Sequence, residues 1–231
     1  MHMVIAQSDA DKKHKGINVL IVETSWEGVD IGAKEDKLGI RSSDTHTIMY
    51  NNVKVPKENR IGQDGFGFKF AMKVLSGGRI GIAAQALGIL CGSYELALAY
   101  SHERETFGKP INKHQAIAFK LADMATDIEA AKLLVYRSAW MKDKGMNFDS
   151  ASSMAKLFAA DSAMKHSVEA VQIHGGYGFV KEYHVERLMR DAKITQIYEG
   201  TSEIQKMVIS RAVIKGNKYI KTQPKVEETT A

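Results

Sequence analysis

The chain has 231 residues, 44% of them hydrophobic, so it can bury the core of one large or two modest domains. The net charge is +5, but no basic run is interleaved with aromatic residues, so we expect no nucleic-acid binding. Such a charge would equally suit a phosphorylated small ligand. The single cysteine, Cys91, has no partner for an intrachain disulfide and lies in an apolar run, which is typical of a buried thiol in a reducing compartment.

The amino-terminal stretch and the apolar runs bear on location. The stretch MHMVIAQSDADKK lacks the charged start, apolar middle and cleavage site of a signal peptide. We also expect no apolar run that approaches the ~20 residues of a membrane-spanning helix. These patterns predict no membrane partner and a location in the cytoplasm or an organelle matrix.

Residues 1–62 are predicted to form strands and turns. Residues 19–22 and 31–32 are short β-type runs next to glycine-containing turns. The stretch THTIMYNNVKVP predicts β segments on both sides of Asn51 and Asn52, ended by Pro56. We therefore expect a partial antiparallel β domain, because this much sheet is too short to close on itself.

From Gly65 onward the sequence predicts long helices. The first should run from about Phe66 to Arg104, and its internal glycines should pack closely against a neighbouring backbone or a ligand: Gly77, Gly78, Gly81, Gly88 and Gly92. The second carries apolar residues at steps of four and three, the spacing of a bundle seam: Ile117, Leu121, Met124, Ile128, Ala131 and Val135.

The remaining helices complete a predicted bundle. A third helix should begin with Asp149 or Ser150 as its N-cap and end at Gly175 and Gly176. A short fourth holds VERLMRDAKI, and the last begins after Thr201. Long helices with short connections predict an antiparallel bundle over residues 63–215, followed by a polar, disordered tail over 216–231. The predicted fold class is α+β and predominantly α.

The stretch IYEGTSEIQ places a carboxylate, Glu199, directly before Gly200 and a helix start. Thr201 or Ser202 can serve as N-cap, and the residues from Ser202 to Gln205 fit a capping box. Glu199 is then either an acid that the helix dipole favours beside this cap, or an unpartnered base next to a glycine that admits a ligand. The spacing alone leaves both interpretations open.

Two more segments have an ordinary and a ligand-binding interpretation. GGYGF at 175–179 is a helix C-cap and turn or a phosphate contact, and it lacks the spacing of a dinucleotide fingerprint. The loop SHERETFGKPINKHQ carries Arg104, Phe107 and Gln115, which fit a phosphate clamp with base stacking or a solvated helix end. The histidines form no ligand set with acids or cysteines, so no metal site is expected. No Gly-x-Ser-x-Gly motif supports hydrolysis.

Taken in order, these pieces resemble the acyl-CoA dehydrogenase family, most closely its short-chain, butyryl-CoA branch. The matching stretches are KEDKLGIRSS, VPKENRIGQDGFGFKFAM, GGRIGIAAQALGI, RETFGKPINKHQAIAFKLADMA, QIHGGYGF, VERLMRDAKI and IYEGTSEIQ, within residues 3–215. The resemblance implies an FAD enzyme that oxidises short-chain acyl-CoA thioesters to trans-2-enoyl-CoA. It also implies that electrons pass to an electron-transferring flavoprotein and that the enzyme is a homotetramer, a dimer of dimers.

The resemblance gives Glu199 the role of the base that removes the α proton. A C–H bond beside a thioester is a weak acid, so this base should be desolvated, with a raised pKa, rather than salt-bridged. The family binds the substrate carbonyl with the backbone N–H of this acid and a flavin hydroxyl, and Gly200 should leave room for the thioester. Some relatives carry the base immediately before an arginine on the first bundle helix; here Gly78 precedes Arg79, so Glu199 has no rival.

The other site residues are likewise implied by the resemblance. Contacts to the adenosine diphosphate part of FAD, made across a subunit interface, are expected at six residues: Arg104, Phe107, Gln115, Gln172, Gly175 and Gly176. Two further contacts to the cofactor are expected at Thr201 and Glu203. Arg79 belongs to the acyl-CoA-contacting segment. Ser76, in the same segment, stands where many relatives carry aspartate, which puts one CoA contact in doubt.

The family also has an amino-terminal helical domain and first β strands, including a Trp-x-Thr/Ser segment at the flavin ring, which precede the matched stretches. We therefore expect this chain to be the carboxy-terminal part of such an enzyme, with exposed apolar strand surface and weak or no flavin binding and activity by itself. A catalytically silent oligomerisation fragment is the alternative, and an oxidase that passes electrons to oxygen is a third possibility. Acyl chain length is left open.

Overall fold

The computed structural model describes residues 1–216, which divide into two compact units, Met1–Gly78 and the residues from Arg79 onward. The predicted domain boundary at residues 62 and 63 stays a prediction. The predicted disordered tail, 216–231, lies outside the described residues except for Gly216.

The first unit contains two antiparallel strand pairs. Strand β1 (His2–Gln7) pairs with β2 (Ile17–Val22), and β3 (Val29–Lys34) pairs with β4 (His46–Tyr50), the second pair with a register irregularity. The runs predicted at 19–22 and 31–32 fall within β2 and β3. Apolar side chains on the strands include Met3, Ile5 and Ile31, each more than half exposed.

The prediction of a second β segment after Asn51 and Asn52 was wrong. Asn52 has a φ of 54°, which turns the chain, and residues 53–56 are in no strand. Pro56 then precedes a short 3₁₀ helix at Lys57–Asn59. The alternating valines therefore lie in a connection, because a β segment needs a pairing partner as well as the right residue types.

Long helices dominate the rest of the described chain. Their bounds are α1 (Gly67–Glu103), α2 (Gln115–Asp143), α3 (Asp149–His174), α4 (Val185–Thr195) and α5 (Ser202–Ile214). Between α1 and α2 lies a small hairpin of β5 (Glu105–Thr106) and β6 (Lys109–Pro110), and a 3₁₀ helix at Gly175–Phe179 follows α3. The predicted helix limits agree with these bounds to within a residue or two.

Helix α3 is the centre of the bundle and packs against α2, α4 and α5. Alanines line its buried positions, among them Ala155, Ala159 and Ala163, which allow close approach of the neighbouring helices. The predicted seam of α2 is confirmed, with Leu121 and Met124 in one buried cluster of apolar residues. The carboxyl end of α3 and the connection between α4 and α5 are therefore attached to well-packed helices.

One local prediction about the helices was wrong. Asp149 is the first residue of α3 rather than its N-cap, and Asn147 Oδ1 accepts the Asp149 N–H at 3.2 Å. On α1, a Cβ added to Gly81 or Gly88 would meet nothing within 4 Å, and only Gly92 approaches another side chain, that of Leu188. Close packing of the α1 glycines against a ligand, the other part of this expectation, stays a prediction.

Helix α1 also corrects the expectation about apolar runs. By length and composition it could cross a membrane, with an 18-residue window of mean hydropathy 1.5 that is 28% buried. A core helix of a water-soluble protein passes the same test, so this finding alone assigns no membrane role. Cys91, on this helix, is half-buried rather than fully buried, and its burial raises the pKa of the thiol.

Candidate active site and cofactor pocket

The connection between α4 and α5 has an unusual backbone at Glu199 and Gly200. Their φ angles are 53° and 91°, so two consecutive residues lie in the left-handed region. Glycine tolerates such angles, whereas a residue with a Cβ is strained there by roughly 1–2 kcal/mol. A glutamate in this conformation must therefore be held by its surroundings.

Buried donors bind both carbonyls of this turn. The Gln205 amide donates to the Glu199 carbonyl at 3.1 Å and to the Gly200 carbonyl at 2.8 Å. Lys156 Nζ, from α3, also donates to the Gly200 carbonyl at 2.8 Å. Both donor residues are fully buried, so these bonds are shielded from competition by water.

The side chain of Glu199 is half-buried. Its Oε2 is buried and has no hydrogen-bond partner within the described residues. Buried carboxylate oxygens are usually hydrogen-bonded, so this oxygen is free to meet a ligand. Tyr198, just before it, donates from its hydroxyl to Gln85 of α1, and burial raises the pKa of this phenol.

Two buried cations lie near the turn. Arg79, at the start of the second unit, is buried, and its Nη1 lies 3.4 Å from Ser153 Oγ. Its Nε is buried and has no partner within residues 1–216, which leaves a donor for a ligand. Burial lowers the pKa of Lys156 to about 8, and the electrostatic interactions of this lysine extend to Arg79 and Glu199.

The start of α5 is capped as predicted. Thr201 Oγ1 accepts the Ile204 N–H at 3.4 Å, so Thr201 is the N-cap. The predicted capping box from Ser202 to Gln205 was wrong: the Gln205 amide reaches the carbonyls of the turn, and Ser202 Oγ donates to Asp161 at 3.2 Å.

A cleft beside this helix start carries the two cofactor residues expected there. Thr201 and Glu203 line it together with Lys193 and Lys206, and its volume is about 390 Å³. Hydrogen bonds to its own backbone and to Thr201 lower the pKa of the Glu203 carboxyl. The cleft thus combines lysine ammonium groups and the amino-terminal end of a helix, which favour an anion, with the carboxyl groups of Asp161 and Glu203.

A larger pocket of about 930 Å³ lies where the end of α1, the small hairpin and the end of α3 meet. Its wall contains a ring stack: Tyr100 and His174 have centroids 4.3 Å apart and an interplanar angle of 19°. Tyr183 meets Tyr100 edge-on at 6.0 Å, and Tyr177 packs on Tyr183 at 5.3 Å. Such a wall offers flat apolar faces to a planar ligand.

The His174 side chain is a neutral imidazole with its hydrogen on Nδ1. Its Nδ1 lies 2.8 Å from the Ala170 carbonyl, which can only accept, so Nδ1 carries the hydrogen. Burial lowers the pKa of the imidazole, which is therefore neutral at physiological pH. Neutral His174 and stacked Tyr100 give the pocket an uncharged wall.

The pocket brings together four of the predicted cofactor residues. Arg104 lies with its guanidinium carbon 6.0 Å from the Tyr177 ring centroid, and Phe107 is 96% exposed, with a φ of 52°. On the other side of the pocket, a Cβ added at Gly175 or Gly176 would have no neighbouring atom within 4 Å. A guanidinium, an exposed ring and an open glycine backbone are thus collected from α1, the hairpin and α3.

Other predicted residues lie outside this pocket. Gln115, the first residue of α2, and Gln172, near the end of α3, are exposed and do not line it. Thr201 and Glu203 line the separate cleft described above. Ser76 belongs to the first unit, where its Oγ donates to the Met72 carbonyl at 3.1 Å.

Several residues of these sites belong to no motif in the sequence. Lys156 was missed because lysines are seldom fully buried, although its small apolar neighbours in SSMAKLFAADSA could have marked a buried helix face. Tyr100 was missed because its stacking partner, His174, lies far away in sequence. For metals, residues 1–216 contain no group of three or more His, Cys, Asp or Glu that could hold an ion.

Comparison with known proteins identifies the family of this arrangement. The sequence model described as "Acyl-CoA dehydrogenase, C-terminal domain" matches residues 65–214. The short-chain-specific acyl-CoA dehydrogenase of Clostridium acetobutylicum is 50% identical over 213 residues, which cover 92% of this chain and 56% of that protein. The caffeyl-CoA reductase-Etf complex subunit CarC of Acetobacterium woodii is 47% identical, with 92% and 56% covered.

A solved structure supports the same relationship. The butyryl-CoA dehydrogenase of Megasphaera elsdenii matches with a TM-score of 0.90 and 51% identity, covering 92% of this chain and 55% of that one. The chain thus spans about half the length of the relatives it matches. The family is FAD-dependent. The chain belongs to the acyl-CoA dehydrogenase family.

Proposed function

We propose that the protein carries out FAD-dependent α,β-dehydrogenation of short-chain acyl-CoA thioesters to trans-2-enoyl-CoA, with Glu199 as the α-proton base. The observation that carries this proposal is the buried, unpaired Oε2 of Glu199. A carboxylate with no cation or donor on that oxygen keeps its basicity for a substrate C–H. Identity near 50% to a short-chain-specific dehydrogenase supports the substrate class.

The chain's own residues divide the work of the reaction. Glu199 takes the α proton while the β hydrogen leaves as hydride, and the carbon–carbon double bond forms between the two carbons. The N–H of Glu199 has no acceptor within the described residues, so it is available to the thioester carbonyl, where negative charge develops. Gly200 adds no side chain beside that carbonyl. The buried Arg79, with its unpaired Nε, is available to a polar group of the acyl-CoA. The contact by Ser76 that the resemblance implies stays a proposal.

The pocket of about 930 Å³ fits the adenosine diphosphate part of FAD. Tyr100 and the exposed ring of Phe107 offer faces for adenine, Arg104 offers a charged donor for phosphate, and the open backbone at Gly175 and Gly176 admits close approach. The predicted contacts by Gln115 and Gln172 stay proposals. Thr201 and Glu203, in their own cleft, are proposed to contact a further part of the cofactor. The chemistry that FAD supplies when bound is acceptance of the hydride.

A flavin spectrum tests the proposal. The protein is incubated with FAD, separated from unbound flavin, and mixed anaerobically with butyryl-CoA. We expect the absorption near the visible flavin maximum to bleach with butyryl-CoA and to remain in a Glu199→Gln variant. A yellow protein whose spectrum no acyl-CoA from butyryl to octanoyl changes would contradict the function.

We also propose an electron-transferring flavoprotein as electron partner and a homotetramer, a dimer of dimers, as the assembled state. The name of the Acetobacterium woodii relative, a subunit of a reductase-Etf complex, supports the first. Exposed apolar residues on α2 support self-association: Leu133 is 69% exposed, and Tyr136 and Trp140 are more than half exposed. Bacterial cytoplasm or mitochondrial matrix is the corresponding proposed location.

Two alternatives rest on particular observations. The reductase name of the same relative favours the reverse direction, in which an enoyl-CoA is reduced by the same two-carbon chemistry. The exposed apolar face of α2 favours a catalytically silent oligomerisation fragment. Bleaching by an acyl-CoA but no re-oxidation by an enoyl-CoA would exclude the first, and a colourless, stable tetramer would support the second.

A further inference from the structure

Lys156 is the most deeply buried charged side chain near the proposed base. It lies on α3 among small residues, with 0% of its surface exposed. Burying an ammonium group is costly unless strong partners replace its water. Its Nζ donates to the carbonyl of Gly200, 44 residues away in sequence, at 2.8 Å.

The accepting turn needs such support. Glu199 and Gly200 both have positive φ, and the glutamate conformation is strained. The Gln205 amide holds the Glu199 carbonyl and shares the Gly200 carbonyl with Lys156. Because each peptide is planar, fixing these two carbonyls also fixes the planes of the peptides on either side of Gly200.

The charge of Lys156 contributes to this support. A hydrogen bond from an ammonium group is about twice as strong as one between neutral groups. The charged groups around it are Asp161, on its own helix, Glu199 and Glu203, on the following segments, and Arg79, on α1. Burial outweighs the three acids and lowers the pKa of Lys156 to about 8, so the ammonium form prevails at neutral pH.

We propose that Lys156 is a positioning residue for the reaction, whose ammonium group holds the Glu199–Gly200 turn so that the Glu199 carboxylate stays directed at the substrate α-carbon. This inference rests on the proposed function of Glu199. It differs from a packing role, because it requires the bond to the Gly200 carbonyl and the charge of the donor. A packing role requires only the aliphatic stem.

The matched variants separate these roles. Lys156→Met keeps the stem volume and removes the donor, and replacing a buried charge by an apolar group of similar size is often tolerated. Lys165→Met is the control on the same helix, because Lys165 is exposed and lies 3.5 Å from Asp127 on α2. Lys156→Gln keeps a neutral donor and provides a second test should the methionine variant fold poorly.

A spectroscopic measurement tests the contact without a variant and without turnover. Gly200–Thr201 is the one Gly-Thr pair in the sequence. A chain labelled with carbonyl-¹³C glycine and ¹⁵N threonine therefore gives a single carbonyl–nitrogen correlation from that peptide. Detected on carbon between pH 6 and 10, the carbonyl shift should titrate with a midpoint near the Lys156 pKa of about 8. It should not titrate in this range in Lys156→Met, and it should titrate normally in Lys165→Met.

Exchange and kinetics test the positioning. Amide hydrogen exchange over residues 197–201 should be roughly tenfold faster or more in Lys156→Met than in the native chain, because local opening is easier. The kcat for acyl-CoA should fall roughly ten- to a hundredfold, as expected for a misplaced base, with KM changed far less. The exchange rate and the kcat of Lys156→Gln should lie between those of Lys156→Met and those of the native chain. Both quantities in Lys165→Met should match the native chain.

The possible outcomes distinguish the positioning role of Lys156 from the proposed function of Glu199. A Gly200 carbonyl that does not titrate, or unchanged exchange in Lys156→Met, overturns the positioning role whether or not the protein turns over acyl-CoA. A native kcat in Lys156→Met also overturns it while leaving the function of Glu199 intact. Titration and faster exchange in a protein that never oxidises acyl-CoA would refute the proposed reaction instead.

Discussion

Replacing Gly200 by alanine should destabilise the chain by an amount that can be worked out from the turn. At a φ of 91°, a Cβ costs roughly 1–2 kcal/mol. The new Cβ would lie 2.7 Å from the Gln205 amide nitrogen and 3.2 Å from an Ile204 methyl. The amide must then move and weaken its bonds to the Glu199 and Gly200 carbonyls, at about 0.5–1.5 kcal/mol each. The total loss in the free energy of unfolding is about 2–5 kcal/mol.

Urea denaturation of the native chain, Gly200→Ala and a matched glycine variant, at one protein concentration, measures this loss. Gly88 is the control, because it is exposed on α1 and a Cβ added there would have no neighbouring atom within 4 Å. Gly88→Ala should therefore stabilise the chain by about 0.5–1 kcal/mol through helix propensity. A loss below about 0.5 kcal/mol for Gly200→Ala would show that the turn is neither strained nor crowded as described, since that is the scale of an ordinary surface substitution.

Three further predictions have definite expected outcomes. Phe107→Ala should change the free energy of unfolding by less than about 0.5 kcal/mol, because the ring is 96% exposed, yet it should weaken FAD binding in a fluorescence titration; equal affinity would remove Phe107 from the cofactor site. Thr201→Ala should cost about 1 kcal/mol in urea denaturation and Thr201→Ser much less, since the hydroxyl caps α5; equal losses would exclude the cap. The Lys156 pKa of about 8 is below its ordinary 10.5, so the unfolded chain binds more protons between these values and native stability rises with pH there. Unfolding measured at pH 7.5 and 10 should accordingly show the native chain gaining stability relative to Lys156→Met, by at most roughly 3 kcal/mol; a constant difference would contradict a lowered pKa.

The helices were predictable from sequence because their signals are local. The three- and four-residue spacing from Ile117 to Val135 depends only on burial along one face, and α2 buries that face. Thr201 was predictable as a cap because its hydroxyl bonds within its own helix turn. The error at 53–55 has the opposite cause, since a strand exists only where a partner is present.

The candidate site was predictable in part. Glu199 stood out because of its motif, but only the structure places its Oε2 in a buried position without a partner. The pocket wall combines Tyr100 with His174, and the turn combines Lys156 with Gly200, in each case residues far apart in sequence. Spacing along the chain carries no information about such pairs.

The central claim is that Glu199 removes the α proton of an acyl-CoA thioester. Its most direct test is exchange of the α hydrogens of butyryl-CoA with deuterated solvent, followed by mass spectrometry, with FAD present. Glu95→Gln is the control, because Glu95 is an exposed acid on α1 outside both pockets. The account predicts exchange by the native protein and by Glu95→Gln, and a loss of roughly a hundredfold or more in Glu199→Gln. Exchange at the native rate in Glu199→Gln would contradict it.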